Sequence, residues 1–377
     1  MSSAITQDWQ WMSYALRLAE RGLYTTQPNP RVGCVVVRNN QVVGAGAHLK
    51  AGEPHAEVYA LQQAGALAQE SDIYITLEPC SHFGRTPPCV QAVIAAKPKR
   101  VIVAMQDPNP LVSGKGIAAL REQGVEVVVG LMETQAHALN AGFVSRMKYG
   151  LPYIRSKIAA SLDGRTALKN GKSQWITGEA ARRDVQHWRA QSCVTMTGIG
   201  TVLADDPSMT VRLENASRQP MRVIVDSALQ TPVKSRMLVS DSLQIGSVLI
   251  AYAQDVHHRA ELLLQAGAEL LHLPDAQHTR VDLPVLMAHL AQRGVNEVLV
   301  EAGQGLNGAL LQAGLIDALV LYYAPKFMGA EAKGMFANVE LTEMLQVPEL
   351  VIDDVRQFAQ DIRILARPIK PKSLKTE

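Results

Sequence analysis

Hydrophobic positions follow two patterns in the first 130 residues, a helical spacing and short apolar runs, and the two alternate along the chain. The spacing predicts a helix over residues 8–21, with Asp8 as its N-terminal cap. Asn39-Asn40 tolerates positive φ and predicts a hairpin between two apolar runs. The strands predicted from apolar runs are residues 32–38, 41–47, 73–77, 100–104 and 125–129; further helices are predicted at 56–61, 90–94 and 115–123. This alternation predicts a layered α/β domain whose sheet order is set by crossovers.

The second half of the chain carries longer apolar runs, which are typical of buried parallel strands. These runs cover residues 222–227 and 247–252, and a further strand is predicted to lead into a turn over 153–164. Residues 297–308 predict a strand, a glycine-rich turn and the start of a helix. Gly150 and Pro152 separate the two halves. We therefore predict two domains, residues 1–150 and 151–377.

Composition narrows the class of function. The chain has 47% hydrophobic and 19% charged residues, which is typical of a compact protein. Its net charge of +2 and its 5% aromatic content are a poor basis for binding nucleic acid, so we expect a small-molecule substrate. We expect no membrane span, no signal peptide and no disulfide framework for the four cysteines. Together these features predict a cytoplasmic protein.

One group of residues indicates a catalytic zinc ion. His55, Cys80 and Cys89 supply three ligands, and Glu57 is a carboxylate that need not bind the metal. The group is similar to the H-x-E…P-C-x-x-C signature of zinc-dependent nucleobase deaminases, although here eight residues separate the two cysteines. One alternative is a pair of buried free cysteines with a surface histidine. Another is a structural zinc, which usually takes a fourth Cys or His ligand that is not evident nearby.

The local sequence explains how these ligands could converge. Pro54 precedes the predicted helix, which places His55 and Glu57 in its first turn. Cys80 is expected at the end of a strand and Cys89 at the start of the next helix. The helix dipole there favours a thiolate.

Polar residues in two proline-rich turns are candidates for substrate contacts. Asn29 lies between two prolines and offers a donor and an acceptor; the alternative is that Asn simply suits the turn. Asp107 and Asn109 follow a predicted strand, at the edge where α/β sheets bind ligands, although alone they would be an ordinary loop.

Gly303, Gly305 and Gly308 match G-x-G-x-x-G after a predicted strand, a turn that can bring backbone N–H groups to a phosphate. A single match of this kind recurs often, and its position late in the chain differs from a first-βα dinucleotide site. A tight turn without a ligand is the alternative.

The motifs of the first half resemble the deaminase half of the bifunctional riboflavin-biosynthesis deaminase/reductase family. The matching segments are residues 28–33, 55–57 and 78–89, including the long loop between the cysteines. The resemblance implies a cytidine-deaminase-like fold, a 2,5-diamino-6-ribosylamino-4(3H)-pyrimidinone 5′-phosphate substrate and one zinc ion per chain. It implies His55, Cys80 and Cys89 as zinc ligands and Glu57 as the proton shuttle. The implied substrate contacts are Asn29, His48, Arg85, Asp107 and Asn109.

Segments 157–164, 173–177, 200–207 and 300–303 resemble the reductase half of the same family. That resemblance implies a dihydrofolate-reductase-like α/β fold and NADPH as cofactor. The implied NADPH contacts are Ala159, Trp175, Thr201, Asp205, Ser227, Gly303, Gln304, Gly305, Leu306, Asn307, Gly308 and Ala309. The implied contacts to the sugar phosphate are Ser173, Arg189, Met209, Arg212 and Glu301. Lys157, Asp205 and Glu301 are the polar candidates for acid or base, although Lys157 could equally be a surface lysine.

Two rival functions stay open at this stage. One is a single-function nucleobase or tRNA deaminase with a non-catalytic C-terminal domain. The other is a zinc-stabilised binding module, which the presence of Glu57 beside an open metal position disfavours. We also expect a homo-oligomer, a dimer or a tetramer.

Overall fold

The computed structural model describes residues 2–81, 88–214, 216–239, 246–337 and 341–369. The chain divides into two compact units, Met1–Leu151 and Pro152–Glu377. Within the described ranges no helix combines the length and the apolar character needed to cross a membrane.

The first unit is a five-stranded sheet with helices packed against it. Its elements are α1 (Ser2–Glu20), β1 (Gly33–Arg38), β2 (Gln41–Ala47), α2 (Ala56–Ala64), β3 (Asp72–Ile75), α3 (Cys89–Ala95), β4 (Arg100–Val103), α4 (Lys115–Glu122), β5 (Glu126–Val129), α5 (Glu133–Leu139) and α6 (Ala141–Tyr149). The strand order is β2-β1-β3-β4-β5. β1 is antiparallel to both of its neighbours, while β3, β4 and β5 are parallel.

The predicted hairpin is confirmed, since β1 pairs with β2 and both Asn39 and Asn40 have positive φ. The predicted cap is wrong: α1 begins at Ser2, so Asp8 lies inside the helix. Its carboxylate accepts a hydrogen bond from the Tyr74 hydroxyl at 2.5 Å and pairs with Arg100 at 3.2 Å. Asp8 therefore joins α1 to the sheet and does not cap the helix.

A close backbone approach positions the helix that follows β2. A Cβ atom at Gly46 would lie 2.2 Å from the carbonyl oxygen of Ala56, so only glycine allows the start of α2 to lie this close to β2. His55 is the N-cap residue of α2, one position before its first turn, and Glu57 lies in that turn. The prediction that both lie in the first turn is thus correct for Glu57 alone.

The second unit is built on a nine-stranded sheet. Its elements are β6 (Tyr153–Ser161), α7 (Glu179–Gln191), β7 (Val194–Gly198), α8 (Ile199–Asp205), β8 (Met221–Val225), β9 (Val248–Tyr252), α9 (Ala260–Gln265), β10 (Glu269–His272), α10 (Leu283–Gln292), β11 (Glu297–Val300), α11 (Gln304–Gln312), β12 (Ala318–Ala324), β13 (Leu350–Phe358) and β14 (Asp361–Pro368). The order is β10-β9-β8-β7-β11-β6-β12-β14-β13. All pairs are parallel except those of β14, which is antiparallel to β12 and to β13.

Parallel pairing of β8 with β9 confirms the strand type predicted from their apolar runs. The strand order matters more for function, because β11 lies between β6 and β7. It brings the carboxyl end of β11 beside the ends of strands that are more than a hundred residues earlier in the chain, and that edge of a parallel sheet is where ligands usually bind.

Candidate functional sites

Three predicted zinc ligands converge in the first unit. The ligand atoms of His55, Cys80 and Cys89 all lie within 4.8 Å of one another. His55 Nδ1 is 3.7 Å from Cys80 Sγ and 2.9 Å from Cys89 Sγ. A tetrahedral zinc bound to one nitrogen and one sulfur would separate them by about 3.6 Å, so the cluster has the dimensions of a zinc site with modest adjustment.

The electrostatics of the cluster suit a metal. Hydrogen bonds from the Cys89 thiol, His55 and the Cys89 backbone N–H lower the pKa of Cys80 to about 4, against the effect of burial. The same hydrogen bond and burial raise the pKa of the Cys89 thiol. Cys89 is the first residue of α3, as predicted, and its N–H lies 3.2 Å from Cys80 Sγ. The pair thus holds a thiolate beside an imidazole, a donor set that zinc prefers.

Glu57 lies beside this cluster, and its charge interacts with His55 and Cys80. It is 3% exposed, and its Oε2 atom has no hydrogen-bond partner among the described residues. Burial raises the pKa of Glu57 to about 7, although the nearby His55 opposes that rise. A buried carboxylate with an unsatisfied oxygen is costly to the fold and is expected where a ligand or a reacting group supplies the missing partner.

Asn29 and His48 form a second layer at the same site. His48 Nδ1 is 3.2 Å from the Pro54 carbonyl oxygen, which can only accept, so Nδ1 carries the proton. Burial lowers the pKa of His48, and the neutral ring then accepts from Asn29 Nδ2 at 3.2 Å through Nε2. The His48 and His55 rings are 5.2 Å apart. The structure thus places His48 beside the predicted ligand His55, and Asn29 contacts His48, which orients its amide.

Glu78 is a residue that the sequence reasoning overlooked. Its buried carboxylate accepts four backbone N–H groups, which belong to Asp107, Gly114, Gly116 and Ile117. It therefore ties the segment before Cys80 to the loop of Asp107 and to the start of α4. The sequence offers one signal for this role. Glu78 stands two residues before the predicted ligand Cys80 but is not itself a predicted zinc ligand, so an acid at this position indicates another function.

Asp107 and Asn109 stand in that loop. Asp107 is 7% exposed and accepts the Asn109 N–H at 2.8 Å, while Asn109 Oδ1 accepts the Leu111 N–H at 3.1 Å. Burial, assisted by the negative charges of Glu78 and Cys80, raises the pKa of Asp107 to about 6. The predicted contact Arg85 lies outside the described residues.

The second unit contains a cavity of about 1060 Å³ at the carboxyl ends of β6, β7, β8 and β11. Most residues predicted for this half line it: Ala159, Ser173, Trp175, Arg189, Thr201, Asp205, Met209, Arg212, Ser227, Glu301, Gly303, Gln304, Gly305, Leu306 and Ala309.

Asn307 and Gly308 are not among the lining residues, because both serve packing. Asn307 is fully buried; its Oδ1 accepts from the Ser156 hydroxyl at 2.8 Å and its Nδ2 donates to the Ala302 carbonyl at 3.0 Å. A Cβ atom at Gly308 would lie 1.9 Å from the Ala337 carbonyl oxygen. Their contribution to the cavity is to fix the turn that precedes α11.

The glycine turn offers a cradle for a ligand. Gly303 and Gly305 line the cavity, yet an added Cβ at either position meets no protein atom within 4 Å. Neither glycine has a positive φ, so neither packing nor backbone geometry requires them. Their side-chain space opens instead where a phosphate group would approach the backbone N–H groups at the start of α11. This observation fits a dinucleotide cofactor.

Glu301 anchors the polar end of the cavity. Arg189 binds it in a bidentate pair with distances of 2.5 and 3.1 Å, and Lys157 Nζ lies 3.5 Å from the same carboxylate. Burial alone would raise the pKa of Glu301, but the charges of Arg189 and Lys157 outweigh it and hold the pKa at about 2. Glu301 is therefore a fixed anion and not a proton donor.

The cavity is also lined by three arginines for which the sequence predicts no role: Arg182, Arg236 and Arg280. Burial and the neighbouring Arg189 charge lower the pKa of Arg212. Grouped cations of this kind favour an anionic ligand. Nothing in the local sequence distinguishes these arginines from surface arginines, since only the strand order brings them together.

Comparisons with known proteins agree with both sites. The model of the RibD C-terminal domain matches residues 152–364, and that of the cytidine and deoxycytidylate deaminase zinc-binding region matches residues 5–105. The riboflavin biosynthesis protein RibD of Escherichia coli K12 is 45% identical over 94% of this chain and 98% of its own. The protein of the same name from Bacillus amyloliquefaciens is 44% identical over 95% of both.

Solved structures show the same likeness. Acinetobacter baumannii RibD superposes with a TM-score of 0.88 at 45% identity, covering 97% of this chain and 100% of that one. A deaminase/reductase from Thermotoga maritima gives 0.85 at 29% identity, covering 97% and 99%. The predicted fold class, a cytidine-deaminase-like domain followed by a reductase domain of mixed α/β structure, is confirmed.

Proposed function

The chain belongs to the RibD family of riboflavin biosynthesis proteins, and from this premise we infer which residues carry its two reactions. The enzyme deaminates 2,5-diamino-6-ribosylamino-4(3H)-pyrimidinone 5′-phosphate. It then reduces the ribosyl side chain with NADPH to the ribityl product. The rival function with a non-catalytic C-terminal domain is excluded by the reductase family match. We assign residues 1–150 to the deaminase and 151–377 to the reductase.

The deaminase assignment rests on one observation, the convergence of three metal ligands beside a buried carboxylate, one oxygen of which has no hydrogen-bond partner in the ranges that the structure describes. His55, Cys80 and Cys89 would hold zinc. When bound, zinc supplies the Lewis acidity that activates a water molecule near neutral pH. Glu57 takes the proton of the attacking water and passes it to the ring nitrogen. A second transfer lets the amine leave as ammonia.

We assign the substrate contacts of this site to Asn29, His48, Arg85, Asp107 and Asn109. Asn29 is the best supported by geometry, because His48 orients its amide and leaves the oxygen without a hydrogen bond among the described residues. That oxygen would accept from an amino group of the pyrimidine.

The Glu57→Gln variant tests the deaminase site. It keeps all three ligands and a similar shape but removes the proton acceptor, so zinc content stays near one per chain while ammonia release falls by about 10³-fold or more. Metal analysis and an ammonia assay on the full chain measure the two. His55→Ala is the matched variant that should lose both metal and activity. Ammonia release within a few-fold of wild type in Glu57→Gln contradicts the role of Glu57.

In the reductase, NADPH supplies the hydride to C1 of the ring-opened ribose when it is bound. The chain must orient both partners and provide a proton. Lys157 is the candidate donor, since it lines the cavity, is 18% exposed and has only a 3.5 Å contact to Glu301 among the described residues. Arg189 and Glu301 form a rigid pair that positions Lys157 and the sugar hydroxyls.

The remaining cavity residues divide between the two ligands. We assign one group to NADPH: the glycine turn at 303–306, Ala309, Ala159, Trp175, Thr201, Asp205 and Ser227. The sugar phosphate is assigned to the side with Ser173, Arg189, Met209 and Arg212, where Arg182 and Arg236 add positive charge. Asn307 and Gly308 do not line the cavity but hold the glycine turn in place through their contacts with Ser156, Ala302 and Ala337.

We also infer a homo-oligomer in the cytoplasm. β13 is an edge strand of the nine-stranded sheet, and it exposes Ile352 by 61% and Val355 by 57%. An exposed apolar edge is suited to pairing with a second copy. The four cysteines are free, which suits a reducing compartment. Light scattering of the purified chain, and fractionation of cells for its location, test these two inferences.

A further inference from the structure

We propose that Arg280, with Ser227 beside it, recognises the 2′-phosphate of the nicotinamide cofactor and makes the reductase select NADPH over NADH. The proposal rests on the proposed reductase function and adds the residue that distinguishes the two cofactors.

The order of the strands gives the cavity two ends. It runs across the carboxyl ends of β6, β11, β7 and β8, which are consecutive neighbours in the sheet. Three strand spacings separate β6 from β8, about 14 Å. Lys157 and Ala159 mark the β6 end, while Val225 and Ser227 mark the β8 end.

A dinucleotide fits these ends in one direction. The glycine turn after β11 lies between them, and the start of α11 offers backbone N–H groups to the diphosphate. The reacting end belongs with Lys157 and Glu301. The adenosine therefore lies at the end of β8, where Ser227, Thr279, Arg280 and Val281 line the cavity.

In the described part of the chain, the end of β8 offers no free carboxylate of the kind that an NADH site would use. In dinucleotide-binding sheets an acid at such a position binds the free ribose 2′-hydroxyl, whereas an arginine accommodates a 2′-phosphate. Asp226 is fully buried, and its two oxygens accept from Gln230 N–H, Thr231 N–H and the Thr231 hydroxyl. It holds its own turn and leaves Ser227 to face the ligand.

No other acid takes its place among the described residues that line the cavity. The acidic ones are Asp205, which contacts Ser173 and Gln174, and Glu301, which pairs with Arg189. Both belong to other parts of the cavity. Of the carboxylates that line the cavity within the described ranges, none would therefore meet a 2′-phosphate at the end of β8.

Arg280 is presented to that position by a fixed turn. Asp275 Oδ1 accepts the N–H groups of Thr279 and Arg280, at 2.8 and 3.1 Å, and Asp275 N–H donates to the Arg280 carbonyl at 2.7 Å. The next residue, Val281, donates its N–H to Ser227 Oγ at 3.3 Å. The turn thus holds Arg280 beside Ser227, whose hydroxyl proton stays free to donate.

The Arg280 side chain makes no ion pair within the described parts of the chain, although the Asp275 carboxylate of the same turn is stabilised by the Arg280 N–H and, more weakly, by the Arg280 charge. Its planar guanidinium can bind two phosphate oxygens at once, and a hydroxyl at Ser227 can donate to a third. This combination recognises a phosphate monoester and gains nothing from a bare 2′-hydroxyl.

The test measures kcat/KM of the full-length enzyme for NADPH and for NADH, with the deaminated intermediate as substrate. Replacing Arg280 by Ala should lower the NADPH value by about 10- to 100-fold, the loss expected for charge-assisted hydrogen bonds. The NADH value should stay within about threefold of wild type. Arg280→Lys keeps the positive charge but loses the two-pronged guanidinium. Its kcat/KM for NADPH should lie between the values of wild type and Arg280→Ala.

Arg183→Ala is the matched control, because Arg183 is an exposed arginine on α7 that does not line the cavity. Adenosine 2′,5′-bisphosphate gives a second measurement. In calorimetric titrations without substrate or turnover, it should bind wild type more tightly than adenosine 5′-monophosphate does, and Arg280→Ala should abolish that difference. Equal losses with NADPH and NADH, or an unchanged NADPH value, overturn the assignment. A wild-type enzyme that oxidises neither cofactor overturns the reductase function itself, which distinguishes the two failures.

Discussion

At the scale of single residues, two buried glutamates show how the surroundings set the role of a carboxylate. Glu57 has an oxygen without a hydrogen-bond partner in the described part of the chain, and burial raises its pKa to about 7. Glu301 is buried as well, but the charges of Arg189 and Lys157 outweigh burial and hold its pKa at about 2. The first is suited to exchanging protons near neutral pH, whereas the second stays an anion that positions cations.

The two glycines of the turn before and within α11 predict opposite effects of one added methyl group. Gly303→Ala places Cβ in open cavity space, so the melting temperature should stay within about 2 °C while the KM for NADPH rises about tenfold. Gly308→Ala drives Cβ against the Ala337 carbonyl oxygen and should cost about 1–3 kcal/mol of stability. Calorimetry and initial rates measure both. A large loss of stability in Gly303→Ala would show that the turn needs glycine for folding.

Asp107 predicts a pH-dependent stability. Burial raises its folded pKa to about 6, above its ordinary 3.8, so the stabilisation from its protonation is present below pH 3.8 and is lost as the pH rises through 6. Asp107→Asn does not titrate. The melting temperature of this variant relative to wild type should therefore rise by a few degrees between pH 4 and pH 8. Scanning fluorimetry measures both melting temperatures. If the difference between variant and wild type stays constant from pH 4 to pH 8, Asp107 does not have the raised pKa.

At the scale of elements, the segment of residues 173–178 is held by side chains from three separate parts of the second unit. Lys326 Nζ donates to the carbonyls of Trp175 and Ile176 at 3.0 and 2.8 Å. Arg182 donates to the Thr177 carbonyl at 2.6 Å, and Asp361 accepts the Gly178 N–H at 2.7 Å. Because this segment lines the cavity, these hydrogen bonds fix the wall that we assign to the cofactor.

Lys326→Met should remove the two hydrogen bonds to this segment while keeping most of the side-chain volume. Methionine has a similar length but donates no hydrogen bond, so the KM for NADPH should rise about five- to tenfold while kcat changes less than twofold. Lys169→Met is the matched control, since Lys169 is 77% exposed and pairs only with Glu331 among the described residues. Steady-state kinetics at varied NADPH decide it. Equal falls in kcat and kcat/KM would indicate a role in the chemical step instead.

At the scale of the whole molecule, the ligands proposed for zinc all precede Leu151, and the residues proposed for NADPH all follow it. A fragment of residues 151–377 should therefore fold, bind NADPH and reduce the deaminated intermediate without zinc, because its length is that of an ordinary domain. In the full chain, a chelator should abolish ammonia release from the deaminase substrate. It should leave intact the oxidation of NADPH with the deaminated intermediate. A soluble, monodisperse fragment that fails to oxidise NADPH, while the full chain succeeds, would contradict independent sites.

Local features of the sequence determined much of the first unit. The hairpin at Asn39-Asn40 and the start of α3 at Cys89 follow from backbone preferences that act within a few residues. His55 and Cys89 were predictable for the same reason, since His55 caps α2 and Cys89 begins α3, whereas Cys80 lies five residues beyond the end of β3 at Ile75 and not at the strand end that the sequence predicts. The cap at Asp8 failed because its carboxylate is used by Tyr74 and Arg100, more than sixty residues away.

Only the tertiary structure decided which distant residues share a site. The insertion of β11 between β6 and β7 brings Glu301 to Arg189 and Lys157, and the turn after β10 brings Arg280 to Ser227. It also showed that Asn307 and Gly308, which fit the glycine motif, pack against the protein instead of lining the cavity. The physical reason is that propensities and spacing act along the chain, whereas contacts across a sheet depend on strand order, which no local pattern encodes.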